Sequence, residues 1–113
     1  MQNKNWLIRL NKSLLTMKIS FDYDGTLSTA KGTEMATKFL AEGNDVYIIS
    51  ARHLKQGMIN KANALGIPVS RVYATGSNIN KVNKVKSLKI EQHYDNNENV
   101  IKQLGEIGKI FNN

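Results

Sequence analysis

Two aspartates separated by one residue directly follow a short apolar run in the first quarter of the chain. The run Met17–Phe21 has the alternation and length of a buried β-strand. Asp22 and Asp24 lie at the carboxyl end of this predicted strand, and Gly25 lets the backbone turn sharply without a Cβ penalty. Both carboxylates can therefore face the crevice beyond the strand. Because Asp and Gly are also common turn residues, a purely structural acidic turn is the alternative.

Apolar runs alternate with segments of helical periodicity along the rest of the chain. Further strands are predicted at Asp45–Ser50, Arg71–Ala74, Ile90–Tyr94 and Ile107–Phe111. Helices are predicted at 33–42, with Thr26 and Ser28 as candidate caps, at 53–65, from an N-cap at Asn80, and around Val100–Leu104. Strands and helices that alternate at this spacing form βαβ units. The sequence therefore predicts an α/β fold: a three-layer α/β/α sandwich with a mostly parallel sheet.

Strongly polar residues recur where the predicted strands end. Asp22 and Asp24 follow strand one, Ser50 ends strand two and Asp95 follows strand four. Ligands of open α/β sheets bind outside the carboxyl ends of the strands, where the strand order reverses. These residues converge if strand one lies between strands two and four, an order that spacing alone does not establish.

The string Phe21-Asp22-Tyr23-Asp24-Gly25-Thr26-Leu27-Ser28 resembles D-x-D-G-T, the first motif of the haloacid dehalogenase (HAD) superfamily of aspartyl-phosphate enzymes. Within this resemblance Ser50 matches the second motif, Lys81 the third and Asp95 the fourth. The resemblance covers residues 17–111 and implies a Rossmann-like sheet in which strand one lies between strands two and four.

The resemblance also implies a chemistry. Asp22 matches the nucleophile, and a carboxylate is already ionised at pH 7. Asp24 matches the general acid/base, and partial burial beside other carboxylates is expected to raise its pKa. The implied cofactor is Mg²⁺, held by the Asp22 side chain, the Asp24 backbone carbonyl and the Asp95 side chain. Because members that cleave carbon–halogen bonds generally lack the second aspartate, its presence favours phosphoryl transfer.

Three further residues are candidates for phosphate or substrate binding. Ser50 would hydrogen-bond the transferring phosphoryl group, although a serine at a strand end is more often a helix cap. Arg52 would bind substrate through its fork of donors, with a solvated side chain as the alternative. Lys81 is the preferred third-motif lysine because it stands at the start of a predicted helix, and Lys84 is the reserve.

The fourth motif departs from the family pattern. Many members carry two adjacent acids after strand four, whereas here Asp95 is followed by Asn96. Asn96 still offers a carbonyl oxygen and Glu98 lies close by in sequence, but weaker metal binding is expected. His93 alternates with Asp95 on the strand and is interpreted as a core histidine or one that supports the site from behind.

The chain has no room for the inserted cap domain that many relatives use to enclose small substrates. Residues 28–45 and 53–81 are already occupied by predicted core elements and cannot hold the ~50 residues that a cap needs. We therefore expect an open site. Its phosphorylated substrate is then macromolecular, such as a nucleic-acid end or a phosphoprotein, or it is a small molecule enclosed by a second subunit of a homo-oligomer.

Composition bounds the partners and the compartment. The 113 residues suffice for one domain, and the absence of cysteine fits a reducing compartment. No apolar run reaches the ~20 residues that span a bilayer, and Arg9 and Lys12 interrupt the apolar residues near the N-terminus. The sequence therefore predicts a cytoplasmic protein without membrane contact. The net charge of +7 is compatible with an anionic substrate or nucleic acid, and equally with a merely soluble surface.

Residues 1–16 are predicted to be an extension of a domain formed by residues 17–113. Two interpretations stay open. Leu7, Leu10 and Leu14 recur at helical spacing and predict an amphipathic helix. Alternatively, Met17 is the natural start, because the first strand begins there.

Two classes of function follow. The leading hypothesis is a Mg²⁺-dependent phosphatase that hydrolyses a phosphomonoester through an aspartyl phosphate on Asp22. The second is a catalytically weak binding module that grips phosphate-bearing or nucleic-acid ligands through its lysines. A receiver-like phosphoacceptor domain is disfavoured, because its acceptor aspartate does not lie after the first strand with D-G-T behind it.

Overall fold

The computed structural model of the chain describes residues 16–113, so the predictions for residues 1–15 lie outside the described residues. Among residues 16–113 a single sheet contains the strands β1 (Lys18–Phe21), β2 (Asp45–Ser50), β3 (Val72–Ala74), β4 (Gln92–Asp95) and β5 (Gly108–Ile110). The α-helices are α1 (Ala30–Ala41), α2 (Gln56–Leu65), α3 (Asn78–Ser87) and α4 (Glu98–Leu104). No helix within the described residues is long and apolar enough to cross a membrane.

All neighbouring strands pair in parallel, and their order is β3-β2-β1-β4-β5. β1 is therefore the central strand, with β2 and β4 on either side. The predicted parallel sheet and the predicted place of strand one are confirmed. Phe21, the last residue of β1, is level with Ile48 of β2 and Tyr94 of β4. The residues that follow these strands consequently reach the same edge of the sheet.

Each face of the sheet carries its own apolar core. On one face Phe21 packs in a cluster with Ala36 of α1 and Met58 of α2. On the other face a second cluster contains Val82 of α3 and Val100 of α4. The helices thus cover both faces, which is the predicted three-layer α/β/α sandwich.

Two helices begin earlier than predicted, because each is capped by a hydroxyl residue other than the predicted cap. The Thr29 side chain accepts a hydrogen bond from a backbone N–H of the first turn of α1, so neither Thr26 nor Ser28 is the cap. Ser77 caps α3 by accepting from the backbone N–H of Asn80, which lies inside the helix and not at its N-cap. The other predicted bounds differ from the observed ones by three residues or fewer.

The connections around the central strands are short. β1 leads to β2 through the turn Tyr23–Leu27 and α1, and β2 leads to β3 through α2 and the 3₁₀ turn Val69–Arg71. Neither connection carries a cap domain in the stretch of chain that the structure describes. The carboxyl edge of the central strands is therefore left open by these connections, as predicted.

Candidate active site

A buried ion-pair network lies where β1 and β4 end. The Nζ atom of Lys81, from α3, is 3.1 Å from Oδ1 of Asp22 and 2.8 Å from Oδ2 of Asp95. All three residues are buried, and Asp95 is 0% exposed. Because an unpaired buried charge is costly, the ammonium group stabilises the ionised form of both carboxylates. The structure thus brings together three of the side chains that the sequence predicted for the site.

The turn after β1 directs Asp22 and Asp24. The backbone N–H of Asp22 donates to the Tyr94 carbonyl at 2.9 Å, so the sheet ladder extends as far as Asp22. A kinked turn over Tyr23–Leu27 follows, in which Asp24 and Gly25 have non-helical backbone and Gly25 has a φ of 73° in the left-handed region. A Cβ on Gly25 would lie 2.4 Å from Nδ2 of Asn96. Asn96, which stands where many HAD members carry a second acid, therefore packs against this turn.

The geometry distinguishes the two candidate lysines of α3. Lys81 is 3% exposed and contacts both carboxylates. Lys84 instead lies with its Nζ atom 4.9 Å from the centre of the Tyr73 ring. Lys81 is therefore the lysine that the fold places in the site, and its catalytic role stays a prediction.

Asp24 lies outside the buried network in an ion pair with Arg52. Nε and Nη2 of Arg52 donate to its two carboxylate oxygens at 2.8 and 2.7 Å. These hydrogen bonds lower the pKa of Asp24. The expectation of a raised pKa is therefore wrong, because the Asp24 side chain is 58% exposed and its ion-pair partner is a cation. The Arg52 fork predicted to bind substrate is occupied by this carboxylate.

Ser50 lies at the end of β2, beside β1, and is 1% exposed. Its Oγ atom accepts a hydrogen bond from the backbone N–H of Arg52 at 3.1 Å, and its carbonyl accepts from Thr75. The hydroxyl thus holds the loop that carries Arg52, which is close to the capping role considered as the alternative. As an acceptor in that bond, the hydroxyl keeps its own proton for a further acceptor.

The two carboxylates that share Lys81 have opposite pKa shifts. Burial raises the pKa of Asp22 and the negative charge of Asp95 raises it further, while Lys81 offsets only part of this rise. Burial also acts to raise the pKa of Asp95, but hydrogen bonds from His93 and Lys81 outweigh it and the pKa is lowered. Asp95 therefore stays ionised, and Asp22 is the first of the two to bind a proton as the pH falls.

Two buried polar residues support Asp95 from behind. Nε2 of His93 is 2.9 Å from Oδ2 of Asp95, and Nδ1 of His93 is 2.6 Å from Oγ of Ser20. His93 accordingly supports the site, which was one of its two interpretations. Ser20 was not predicted as a site residue, because its only signal in the sequence is a polar residue between the apolar residues of strand one.

The oxygen donors of this network fit Mg²⁺. Two carboxylates and one ammonium group leave a formal charge of −1, and Mg²⁺ is usually held by one or two carboxylates together with several waters. Among residues 16–113 no cluster of three or more His, Cys, Asp or Glu side chains forms a metal site, and such a Mg²⁺ site does not require one. Asp22, Asp95 and the Asp24 carbonyl remain the candidate ligands.

No protein-family model and no curated protein sequence matches the chain. Among solved structures, the chain is similar to that of a proposed 3-deoxy-D-manno-octulosonate 8-phosphate phosphatase from Vibrio cholerae, with a TM-score of 0.53 and 17% identity. The match covers 85% of this chain and 66% of that chain, so this chain spans slightly less than two thirds of the other's length. Such a similarity concerns the fold, and it agrees with the parallel sheet and the central first strand. The chain therefore has the fold of the haloacid dehalogenase superfamily.

Proposed function

We propose that the chain is a Mg²⁺-dependent phosphatase that hydrolyses a phosphomonoester through an aspartyl phosphate on Asp22. The observation that carries the proposal is the buried Asp22–Lys81–Asp95 network at the carboxyl edge of the sheet. Burying two carboxylates around one lysine is costly and contributes little net stability, so such a cluster is more readily explained by chemistry than by folding. The phosphatase description of the structural neighbour agrees with this reaction class.

The first half-reaction transfers the phosphoryl group to Asp22. Lys81 holds Oδ1 of Asp22, which leaves Oδ2 as the attacking atom. A bond forms between Oδ2 and phosphorus while the bond from phosphorus to the leaving oxygen breaks, and that oxygen takes a proton from Asp24. Lys81 offsets the negative charge that builds up, and the Ser50 hydroxyl donates to a phosphoryl oxygen. Bound Mg²⁺ supplies further positive charge at the phosphoryl oxygens.

The second half-reaction returns the enzyme to its starting state. Water attacks phosphorus, its proton passes to Asp24, and the bond between phosphorus and Asp22 breaks to release inorganic phosphate. Asp24 needs its proton in the first half-reaction, yet its hydrogen bonds with Arg52 favour the ionised form. We propose that the anionic substrate draws the Arg52 guanidinium away from Asp24, since the guanidinium fork binds phosphate as well as carboxylate.

The proposed substrate class follows from the open edge of the sheet. Within residues 16–113, no cap domain covers this edge. A phosphorylated macromolecular end, including a nucleic-acid end, can reach such a site directly. A small phosphorylated molecule would need a second copy of the chain to exclude water, so both substrates stay within the proposal, as does the cytoplasmic location.

A catalytically weak binding module is the second candidate function. One observation favours it: Asp24, the residue required as general acid, is ion-paired in a form that carries no proton. In that case the lysines and the open edge would bind phosphate groups without turnover.

Hydrolysis of an aryl phosphate with Mg²⁺ tests the proposal in the wild type and in Asp22→Asn. We expect the variant to lose at least ~10³-fold in kcat, because an amide cannot replace the nucleophile. Asp45→Asn is the matched control, since Asp45 pairs with Arg71 at the start of β2. Activity that persists in Asp22→Asn would refute the nucleophile. No turnover in the wild type, together with salt-dependent nucleic-acid binding, would favour the binding module.

A further inference from the structure

The hydrogen-bonded network continues from Asp95 into the interior of the sheet. His93 of β4 lies in register with Ser20 of β1, and both residues are 0% exposed. Their hydrogen bonds link Ser20, His93, Asp95, Lys81 and Asp22 into one continuous chain of contacts, each 3.1 Å or shorter. We refer to these five residues as the five-residue network. It connects the centre of the sheet with the proposed nucleophile.

The chemistry of the acceptors determines which atom donates in each hydrogen bond of the five-residue network. An ionised carboxylate can only accept hydrogen bonds, so Nε2 of His93 must carry the proton that it shares with Asp95. In the neutral imidazole the other ring nitrogen, Nδ1, is then an acceptor. Ser20, 2.6 Å away, accordingly donates its hydroxyl proton to Nδ1. The Ser20 hydroxyl thus satisfies Nδ1 in the tautomer that Asp95 requires.

The same three residue types also occur in nucleophilic triads, but this chain of contacts cannot serve that chemistry. Ser20 and His93 have no exposed surface through which a substrate could approach. In addition, the imidazole donates to a carboxylate that is also ion-paired with Lys81. Ser20 and His93 therefore act through Asp95 and not on a substrate.

We propose that His93 is a positioning residue of the active site, which orients Asp95 so that Lys81 stays between the two aspartates. The proposal rests on the proposed function for its catalytic consequence. Oδ1 of Asp95 accepts from the backbone N–H of Asn97 at 3.0 Å, and Oδ2 accepts from both His93 and Lys81. Without His93, Oδ2 keeps only Lys81 and Oδ1 keeps only Asn97, so the carboxylate loses one of the bonds that fix its rotation. Lys81 and the oxygen that it holds on Asp22 would then shift as well.

Two substitutions separate positioning from packing. His93→Leu removes the donor and keeps an apolar side chain of moderate size, whereas His93→Gln keeps an N–H donor. We expect His93→Leu to lower kcat by about 10- to 100-fold with little change in KM, and His93→Gln to recover to within several-fold of wild type. If both variants unfold at similar temperatures, a merely structural role of His93 would give them similar kcat values. Recovery of kcat in His93→Gln alone therefore supports positioning.

Binding of Mg²⁺ alone gives a readout that does not depend on turnover. Isothermal titration calorimetry without substrate should show Mg²⁺ affinity about 10- to 100-fold weaker in His93→Leu and largely restored in His93→Gln. If the wild type shows no turnover but this affinity pattern appears, the phosphatase proposal fails and the positioning role stands. Unchanged affinity and unchanged kcat in folded His93→Leu would overturn the positioning role.

The tautomer can be tested in the wild-type protein, whether or not the variants fold. Long-range ¹H–¹⁵N spectra assign the protons on each ring nitrogen of His93 directly. We expect a proton on Nε2, the atom that faces Asp95. An unprotonated Nε2 in the wild type would overturn the proposal, because Asp95 would then lack its donor.

Discussion

Arg52 donates two hydrogen bonds to Asp24, at 2.8 Å from Nε and 2.7 Å from Nη2. The guanidinium also lies 5.0 Å from the centre of the Tyr23 ring. A Cβ on Gly57 would lie 2.4 Å from Nη1, so a small residue in α2 leaves room for this arrangement. The residue that resembles the general acid is therefore held without its proton by a neighbouring cation.

Replacing Arg52 should change the pH dependence of the reaction. In Arg52→Met the pKa of Asp24 rises toward its ordinary value, because the hydrogen bonds that lower it are lost. A larger fraction of Asp24 in the free enzyme is then protonated at a given pH, so the limb of the kcat/KM profile that needs the acid moves to higher pH. Stability should fall by only ~1 kcal/mol or less, since both side chains of the pair are more than a third exposed.

Arg71→Met is the matched control for that experiment, because Arg71 pairs with Asp45 at 3.3 Å at the start of β2. Its profile should keep the wild-type position. If this limb lies at the same pH in Arg52→Met and in the wild type, Arg52 does not control the protonation of Asp24.

The two lysines of α3 should differ in what they contribute to stability. Lys81→Met leaves Asp22 and Asp95 buried without a cation, which should reduce the free energy of unfolding by about 3–5 kcal/mol at pH 7. Lys84→Met removes a cation–π contact with Tyr73, worth about 0.5–1 kcal/mol. Urea unfolding of both variants measures the difference. Equal losses would contradict the buried ion pairs.

Carboxyl titration by ¹³C NMR in metal-free protein should separate the three aspartates. We expect Asp22 to titrate above the ordinary value of 3.8, because burial and Asp95 raise its pKa. Asp24 and Asp95 should titrate below 3.8, because hydrogen bonds from Arg52 lower the first, and those from His93 and Lys81 outweigh burial at the second. If Asp22 and Asp24 titrate at the same pH, the predicted difference between their pKa values is wrong.

The same shifts determine how stability depends on pH. The lowered pKa values of Asp24 and Asp95 contribute stability that is present above 3.8 and is lost as the pH falls through their folded-state pKa. Asp22 has the opposite sign, since its raised pKa contributes stability below 3.8 that is lost as the pH rises through the raised value. Urea unfolding across this range in wild type and Asp22→Asn isolates the second contribution.

Two glycines with positive φ test the contact between Asn96 and the turn after β1. Gly25 and Gly66 have φ values of 73° and 81°, so alanine at either position carries left-handed strain of ~1–2 kcal/mol. Nothing lies within 4 Å of a Cβ at Gly66, whereas one at Gly25 would meet Asn96 at 2.4 Å. We expect Gly66→Ala to keep its activity and Gly25→Ala to lose more stability and most activity.

Thermal unfolding and aryl phosphate hydrolysis measure both effects. Adding Asn96→Ala to Gly25→Ala should recover some of the lost stability, because it removes the atoms that the new Cβ would meet. Equal losses of stability and activity in Gly25→Ala and Gly66→Ala would refute the contact between Asn96 and the turn after β1.

Local signals were enough for much of the fold. The apolar run Asp45–Ser50 is β2 as predicted, and α2 ends at Gly66, whose left-handed backbone closes the helix. Helix starts could not be predicted as closely, because several hydroxyl residues lie near the start of α1 and the structure uses Thr29 as the cap. A cap needs only a side chain and a nearby N–H, so spacing alone cannot rank such neighbours.

By itself the sequence determined the parallel α/β framework and the edge of the sheet to which Asp22, Ser50 and Asp95 belong, because periodicity and strand ends are properties of short segments. Only the tertiary structure decided that Lys81 meets Asp22, 59 positions away along the chain, and that Arg52 pairs with Asp24. Such contacts depend on how α3 and the loop after β2 pack against the sheet. The charge state of each carboxyl follows from those neighbours, which lie on separate elements and leave no periodic pattern in the sequence.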